Sequence, residues 1–63
     1  ALKFRRSLVA RRDLARGTVI SRDMLGAKRP GTGVPPDRIE EIVGKTLSRS
    51  IRYDEQVGYD DIS

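Results

Sequence analysis

The apolar residues of this chain come in bursts of one to three, separated by charged residues and turn formers, and no burst continues as a long alternation. Leu8 and Val9 stand in Ser7–Ala10, Thr18-Val19-Ile20 is β-branched throughout, Leu47 and Ile51 anchor Thr46–Ile51, and Val57 follows Gln56. Such runs favour extended backbone, and the charged turns between them, Arg11–Gly17 and Arg52–Glu55, predict tight reversals. Two stretches read as helical. Ser21 is placed to cap a single turn over Ser21–Leu25 by accepting a free backbone N–H, with Gly26 to end it. Pro36–Val43 is the one longer helix predicted. Proline suits a first turn, Asp37, Glu40 and Glu41 put negative charge toward the positive end of the dipole, and Ile39, Ile42 and Val43 share a face. Gly44 supplies the stop and Lys45 sits at the negative end.

The two ends of the chain repeat this grammar at an offset of 37 residues. Arg12 aligns with Arg49, Leu14 with Ile51, the turn at Gly17 with Asp54, Ile20 with Val57, Asp23 with Asp60, and Leu25 with Ile62. The pattern predicts an internal duplication: extended segment, turn, extended segment, helical turn, twice over. The two units would pack about a pseudo-two-fold axis, bridged by the intervening loop and helix. The expected core is Leu8, Val9, Leu14, Val19, Ile20, Met24, Leu25, Ile39, Ile42, Val43, Leu47, Ile51, Val57 and Ile62. The fold class is mostly β with short helical turns. Residues 1–6 read as a linker and 7–63 as the domain, and the lack of an initiating Met predicts a fragment of a longer chain or a processed product.

Size and composition narrow the function. At 63 residues this is one domain, and a chain of about 60 residues buries only about 60% of the surface it exposes when unfolded. Neither cysteine nor histidine is present. That excludes a disulfide framework and removes the commonest general base and the commonest metal ligands, so a self-contained hydrolase or metalloenzyme is not expected. No apolar run reaches the roughly 20 residues that cross a bilayer, and no signal-peptide pattern is found, so no membrane partner is expected and a cytoplasmic location is the default.

Charge is polarised. The net charge is +4, but residues 1–30 carry nine basic and two acidic side chains and residues 31–63 carry four and seven. The first half therefore invites an anionic partner or is an arginine-rich solvated surface. Paired carboxylates at Glu40-Glu41, Asp54-Glu55 and Asp60-Asp61 would support acid–base work only if both members converged on one desolvated site. Neighbours in turns point apart, so solvated charge is the expectation and no catalytic residue is assigned. Nucleic acid is not an expected partner. Arginines are plentiful, but Phe4, Tyr53 and Tyr59 are the only aromatic residues and none is interleaved with them, so a stacking platform is lacking.

One stretch gathers the unusual residues. Lys28-Arg29-Pro30-Gly31-Thr32-Gly33-Val34-Pro35-Pro36 holds all three prolines and two of the six glycines, and it joins the two copies. Arg29 precedes a proline, where extended backbone is favoured, so its side chain projects from a stiff segment. A guanidinium offers donors in a fixed fork suited to carbonyl, carboxylate or hydroxyl oxygens. A connector without function is the alternative.

The residues Phe4-Arg5-Arg6-Ser7-Leu8-Val9-Ala10, Asp13-Leu14-x-x-Gly17-x-x-Ile20-x-x-Asp23-Met24-Leu25, Lys28-Arg29-Pro30-Gly31-Thr32-Gly33 and Gly44-Lys45 together resemble the C-terminal antifreeze-like (SAF) domain of bacterial sialic acid synthases, across nearly the whole chain. The resemblance implies a β-clip fold with pseudo-two-fold symmetry. It implies a parent transferase that condenses phosphoenolpyruvate with an N-acetylated amino sugar such as N-acetylmannosamine. In that family an N-terminal (β/α)8 barrel holds the catalytic residues and a divalent metal, manganese or magnesium, and the SAF domain caps the active site of its partner in a domain-swapped homodimer. By that resemblance Arg29 binds the sugar, Lys28, Pro30, Gly31, Thr32 and Gly33 shape its loop, and this chain itself holds no metal and no cofactor. The same fold occurs in type III antifreeze proteins, so a stand-alone ice- or carbohydrate-binding module is the alternative. The matching face, around Thr18, Ser21 and Met24, has Arg12, Arg22 and Asp23 as neighbours, which argues against ice.

Overall fold

The computed structural model describes residues 5–63, which leaves Phe4 and the start of the linker outside the described residues. Regular pairing is brief. Strand β1 (Ser7–Ala10) lies antiparallel to β2 (Leu25–Lys28) in a register running from Ser7↔Lys28 to Ala10↔Leu25. The remaining β contacts are isolated bridges, Val9↔Gln56, Leu14↔Ile51, Val19↔Thr46 and Leu47↔Ile62. Three 3₁₀ turns complete the secondary structure of the described residues, at Arg22–Met24, Pro36–Glu41 and Tyr59–Asp61. The chain is mostly β with short helical turns, as its residues predict.

The duplication is written in the backbone hydrogen bonds. Leu14 N–H donates to the Ile51 carbonyl at 2.7 Å and Ile51 N–H donates back at 2.8 Å, so the pseudo-dyad passes between them. Most neighbouring bonds have a mate 37 residues away. Gly17 N to Leu47 O (2.9 Å) is mirrored by Asp54 N to Ala10 O (2.7 Å), and Ile20 N to Lys45 O (2.9 Å) by Val57 N to Leu8 O (2.9 Å). Even a side-chain contact repeats: Tyr53 N–H donates to the Asp13 carboxylate at 2.7 Å and Arg16 N–H to the Ser50 hydroxyl at 3.0 Å. The two corners share one conformation, with φ of 91° at Gly17 and 70° at Asp54. Glycine adopts it freely, whereas a residue with a Cβ is strained there, aspartate less than most.

The core follows the two copies closely but not completely. Leu14, Ile20, Leu25, Leu47, Ile51 and Val57 are buried around the axis, with Leu8, Val9 and Ile42 beside them. Val19 departs from expectation and lies 57% exposed. Side chains alternate along extended backbone, and Ile20 takes the inward position, which turns Val19 out. Ala10 and Val34, absent from the expected core, are wholly buried. Val34 is held there by the loop, since its carbonyl accepts from Leu8 N at 2.8 Å and its N–H donates to Val57 O at 2.9 Å.

The helical elements are tighter than predicted. Pro36–Glu41 is a 3₁₀ segment broken at Arg38 (φ −109°, ψ 17°), not an α-helix through Val43. Only Ile42 of its apolar residues is fully buried, and so short an amphipathic segment lacks the packing that makes an α-helix propagate. The segment ends at Glu41 with Ile42 as its cap, and Gly44, at φ 89°, lies beyond it in the turn that follows. Ser21 occupies the predicted cap position, but its hydroxyl donates to the Asp23 carboxylate and makes no bond to the backbone. Gly26 does not stop a helix. Leu25 leaves the 3₁₀ turn in an extended conformation (φ −118°, ψ 143°), and Gly26 pairs with Val9 inside β2.

Candidate functional site

The Lys28–Gly33 loop leaves β2 and folds back over the chain that enters β1. Its glycines make that return possible. A methyl group on Gly31 would collide with the Arg6 carbonyl and lie 2.7 Å from Ser7 N, and one on Gly33 would strike the Val57 carbonyl oxygen. Real Cβ atoms do not approach so closely, so only glycine lets the backbones touch. The Arg29–Pro30 peptide bond is cis. Under the loop, Ser7 is fully buried.

A residue outside the Lys-Arg-Pro-Gly run, Gln56, holds the loop in place. The Gln56 side-chain oxygen accepts from Thr32 N at 3.0 Å, the Thr32 hydroxyl at 2.9 Å and Gly33 N at 3.1 Å, while its amide nitrogen donates to the Pro30 carbonyl at 2.9 Å. At the other end of the loop Lys28 Nζ donates to the Asp54 carboxylate, which raises the lysine pKa above its ordinary value. The signal for Gln56 was present in the chain: the 37-residue offset sets this polar amide against Val19.

Arg29 itself is exposed and, among the described residues, makes no ion pair and no hydrogen bond. Of the loop residues named with it, Lys28, Pro30 and Thr32 are exposed, Gly33 is half-buried and Gly31 is buried. Open clefts flank the loop. One of about 570 Å³ is bordered by Arg5, Thr32, Gly33, Arg38, Tyr59 and Asp60, and one of about 350 Å³ by Arg11, Gly26, Lys28, Tyr53 and Asp54. Arg29 lines neither. The guanidinium therefore stands clear of its own domain, on a backbone fixed at both ends.

The paired carboxylates do not converge. Glu40 bonds Arg22, whereas Glu41 accepts from Arg38 at 2.8 Å and from the Tyr59 hydroxyl at 2.7 Å. Arg38 and then Tyr59 hold the Glu41 carboxyl below the ordinary value, and Glu41 in turn raises the Tyr59 phenol. Asp54 turns to Lys28 while Glu55 turns to Arg49 at 3.0 Å. Asp61 accepts from Arg49 Nε at 2.6 Å and from Gly58 N at 2.8 Å, and Asp60 is exposed. These are surface ion pairs rather than an acid–base site. Among the described residues no group of three or more His, Cys, Asp or Glu side chains is placed to hold a metal ion, and no helix is long and apolar enough to cross a membrane. The surface around Thr18, Ser21 and Met24 carries the Ser21–Asp23 contact and the Arg22–Glu40 pair, a charged texture that retains its own hydration.

Comparison with known proteins places this geometry. Residues 5–63 match the SAF domain family. The N,N'-diacetyllegionaminic acid synthase of Legionella pneumophila is 49% identical over 47 residues, which cover 75% of this chain and 13% of the synthase. The enzyme of the same name from Campylobacter jejuni is 38% identical over 53 residues, 84% of this chain and 16% of the relative. The chain thus spans less than a fifth of the length of either relative. Among solved structures, an antifreeze-protein-like domain from the human N-acetylneuraminic acid phosphate synthase gene superposes with a TM-score of 0.83 at 30% identity, over 90% of this chain and 73% of that one.

Proposed function

This chain belongs to the SAF domain family, and on that premise we propose that it is an accessory domain that caps the substrate site of a sialic-acid-synthase-like transferase. In this reading the parent enzyme condenses phosphoenolpyruvate with an N-acetylated amino sugar, and the domain acts across a homodimer. The catalytic residues and a divalent metal belong to a separate (β/α)8 barrel, and no step of the chemistry is assigned to this chain. Arg29 would contact the sugar. The observation that carries the reading is the state of Arg29: exposed, without an ion-pair partner among the described residues, and mounted on a loop pinned at both ends. A cation held ready but unused, with no pocket of its own chain around it, is suited to completing a site on another surface. The names of the relatives favour an acceptor sugar with two acetamido groups over one with a single group.

The test is Arg29→Ala in the full-length enzyme. Losing a hydrogen bond to a charged group costs about 1.5–3 kcal/mol, or a fall of roughly 10- to 150-fold in kcat/KM for the amino sugar. The phosphoenolpyruvate dependence should change little, and the folding of the domain should not change. Unaltered sugar kinetics would reduce the loop to a connector.

A further inference from the structure

The duplication supplies an internal control for residues that the fold does not require. Val19 stands at the position equivalent to Gln56, in the Val19↔Thr46 bridge that mirrors Val9↔Gln56, and it is 57% exposed. The fold therefore runs through this position with an apolar side chain that packs against little. Gln56 in the other copy makes four hydrogen bonds, all to the Arg29 loop. Gly17 stands at the position equivalent to Asp54, and both corners are left-handed. Glycine would serve either corner at no steric cost, whereas aspartate carries one. What Asp54 adds is a carboxylate on which Lys28 ends. Both departures from the repeat lie in the second copy, and both reach across to the same loop.

We propose that Gln56 and Asp54 are positioning residues for Arg29, Gln56 gripping Pro30, Thr32 and Gly33 after it, and Asp54 gripping Lys28 before it. The inference rests on the reading of Arg29 as the sugar-binding residue. An arm ordered in advance loses less conformational freedom on reaching a ligand than one that must order as it binds. A loop that is ordered only part of the time lowers apparent affinity by the fraction of time it is competent.

Amide hydrogen exchange of the 63-residue chain tests the grip without any activity. In Gln56→Ala, the Thr32 and Gly33 amides should exchange about tenfold faster, the scale of one lost hydrogen bond, while the Leu14 and Ile51 amides at the axis keep their rates. Unchanged exchange at Gly33, or equal acceleration everywhere, would overturn the proposal. Gln56→Glu provides a second reading should the alanine variant fail to fold. Its carboxylate still accepts from Thr32 and Gly33 but opposes the Pro30 carbonyl, so the loop should loosen at neutral pH and tighten on acidification, when the protonated acid can donate. Indifference to pH would count against the Pro30 contact. Asp54→Gly relieves the corner, so the domain should be no less stable while the loop loosens; a loss of stability with an unaltered loop would make Asp54 merely structural.

In the full-length enzyme, Gln56→Ala and Asp54→Gly should raise KM for the amino sugar more than they lower kcat. Gln56→Ala added to Arg29→Ala should do no further harm, because both act through one contact. If Arg29→Ala is silent, the sugar reading fails and the exchange data alone decide whether the loop is gripped. If Arg29→Ala is costly while the loop variants loosen the loop and leave KM alone, the positioning inference fails and the sugar reading stands.

Discussion

Arg12 and Arg49 occupy equivalent places in the two copies of this domain, yet their surroundings differ. Arg49 bonds Asp61 at 2.6 Å and Glu55 at 3.0 Å. Arg12 makes no ion pair among the described residues, and the same is true of Arg5, Arg6, Arg11, Arg16 and Arg29. The positions of Asp61 and Glu55 are held in the first copy by Met24 and Thr18, neither of which can answer a guanidinium as an anion. Backbone hydrogen bonds repeat almost pair for pair, so the two copies solve the same folding problem. What diverges is the charge. The second copy answers Arg49 from within and reaches over to brace the bridging loop, while in the first copy Arg22 alone of the described arginines finds a carboxylate, Glu40, and Arg29 of the loop is left unspent. A duplicated fold thus separates what packing demands from what is carried for another purpose.

The comparison breaks first at the axis, where the largest effect is expected. Leu14 and Ile51 are 4% and 1% exposed and exchange hydrogen bonds with each other. Truncating a buried Leu or Ile to Ala costs about 2–5 kcal/mol, a large part of the stability of so small a domain. If the copies are equivalent, Leu14→Ala and Ile51→Ala should destabilise to within about 1 kcal/mol of each other, because cavity cost depends on how the site can collapse. Chemical denaturation of both variants checks this. A markedly larger loss at one site would show that the two halves share a backbone but not a packing.

The duplication, the two corners and two of the helical turns were legible in the residues, because each rests on a local cue, a glycine or aspartate at a reversal or an apolar pair at a fixed spacing; the turn at Tyr59–Asp61 was legible only through the repeat. What escaped depends on contacts between distant residues. Val34 reads as part of a loop, and only its bonds to Leu8 and Val57 draw it into the core. Gln56 holds residues 23 to 26 positions away; the 37-residue offset marks it as a polar amide set against Val19 but does not report what it binds. Arg29 was legible as a candidate through the Lys-Arg-Pro-Gly run, but its exposure and the grip on its loop were not. Ser21 failed as a cap because a nearer partner, the Asp23 carboxylate, competes for its hydroxyl. Such local competition is a general reason that serine positions mislead.

A smaller effect sharpens the contrast between corner and loop. Around Gly17 there is open space, and its demand is only on φ; Asp54 meets the same demand in the other copy. Gly17→Asp should therefore cost no more than about 1 kcal/mol. Gly33 is different, since a Cβ there meets the Val57 carbonyl that also accepts from Val34. Gly33→Ala should cost about 1–3 kcal/mol, as overpacking does, and disturb the loop as well. Thermal melts of the two variants side by side decide it, and the ranking reverses if the loop yields more easily than the corner.

Acid should bear on the second copy before the first, with the smallest effect of the three. Burial pushes the Asp61 carboxyl up, but the Arg49 guanidinium and the Gly58 amide outweigh it and leave the pKa below its ordinary value. The Glu55 carboxyl is lowered by the Arg52 amide and then by Arg49. A group whose folded pKa is depressed contributes stability above its unfolded value and loses it as pH falls through the folded one. The contribution is therefore complete at neutral pH and fades below about pH 4, where unfolded carboxylates titrate. Arg49→Ala should flatten that acid limb in pH-dependent melts. Arg12→Ala should alter it far less, because Asp23, the carboxylate near Arg12, is held down chiefly by the Ser21 hydroxyl. Exposed pairs are worth little individually, so the difference between the two slopes is the quantity to read. Equal acid limbs in the two variants would mean that the arginines of the two copies are spent alike, and that the imbalance of charge between them does no work in holding the fold.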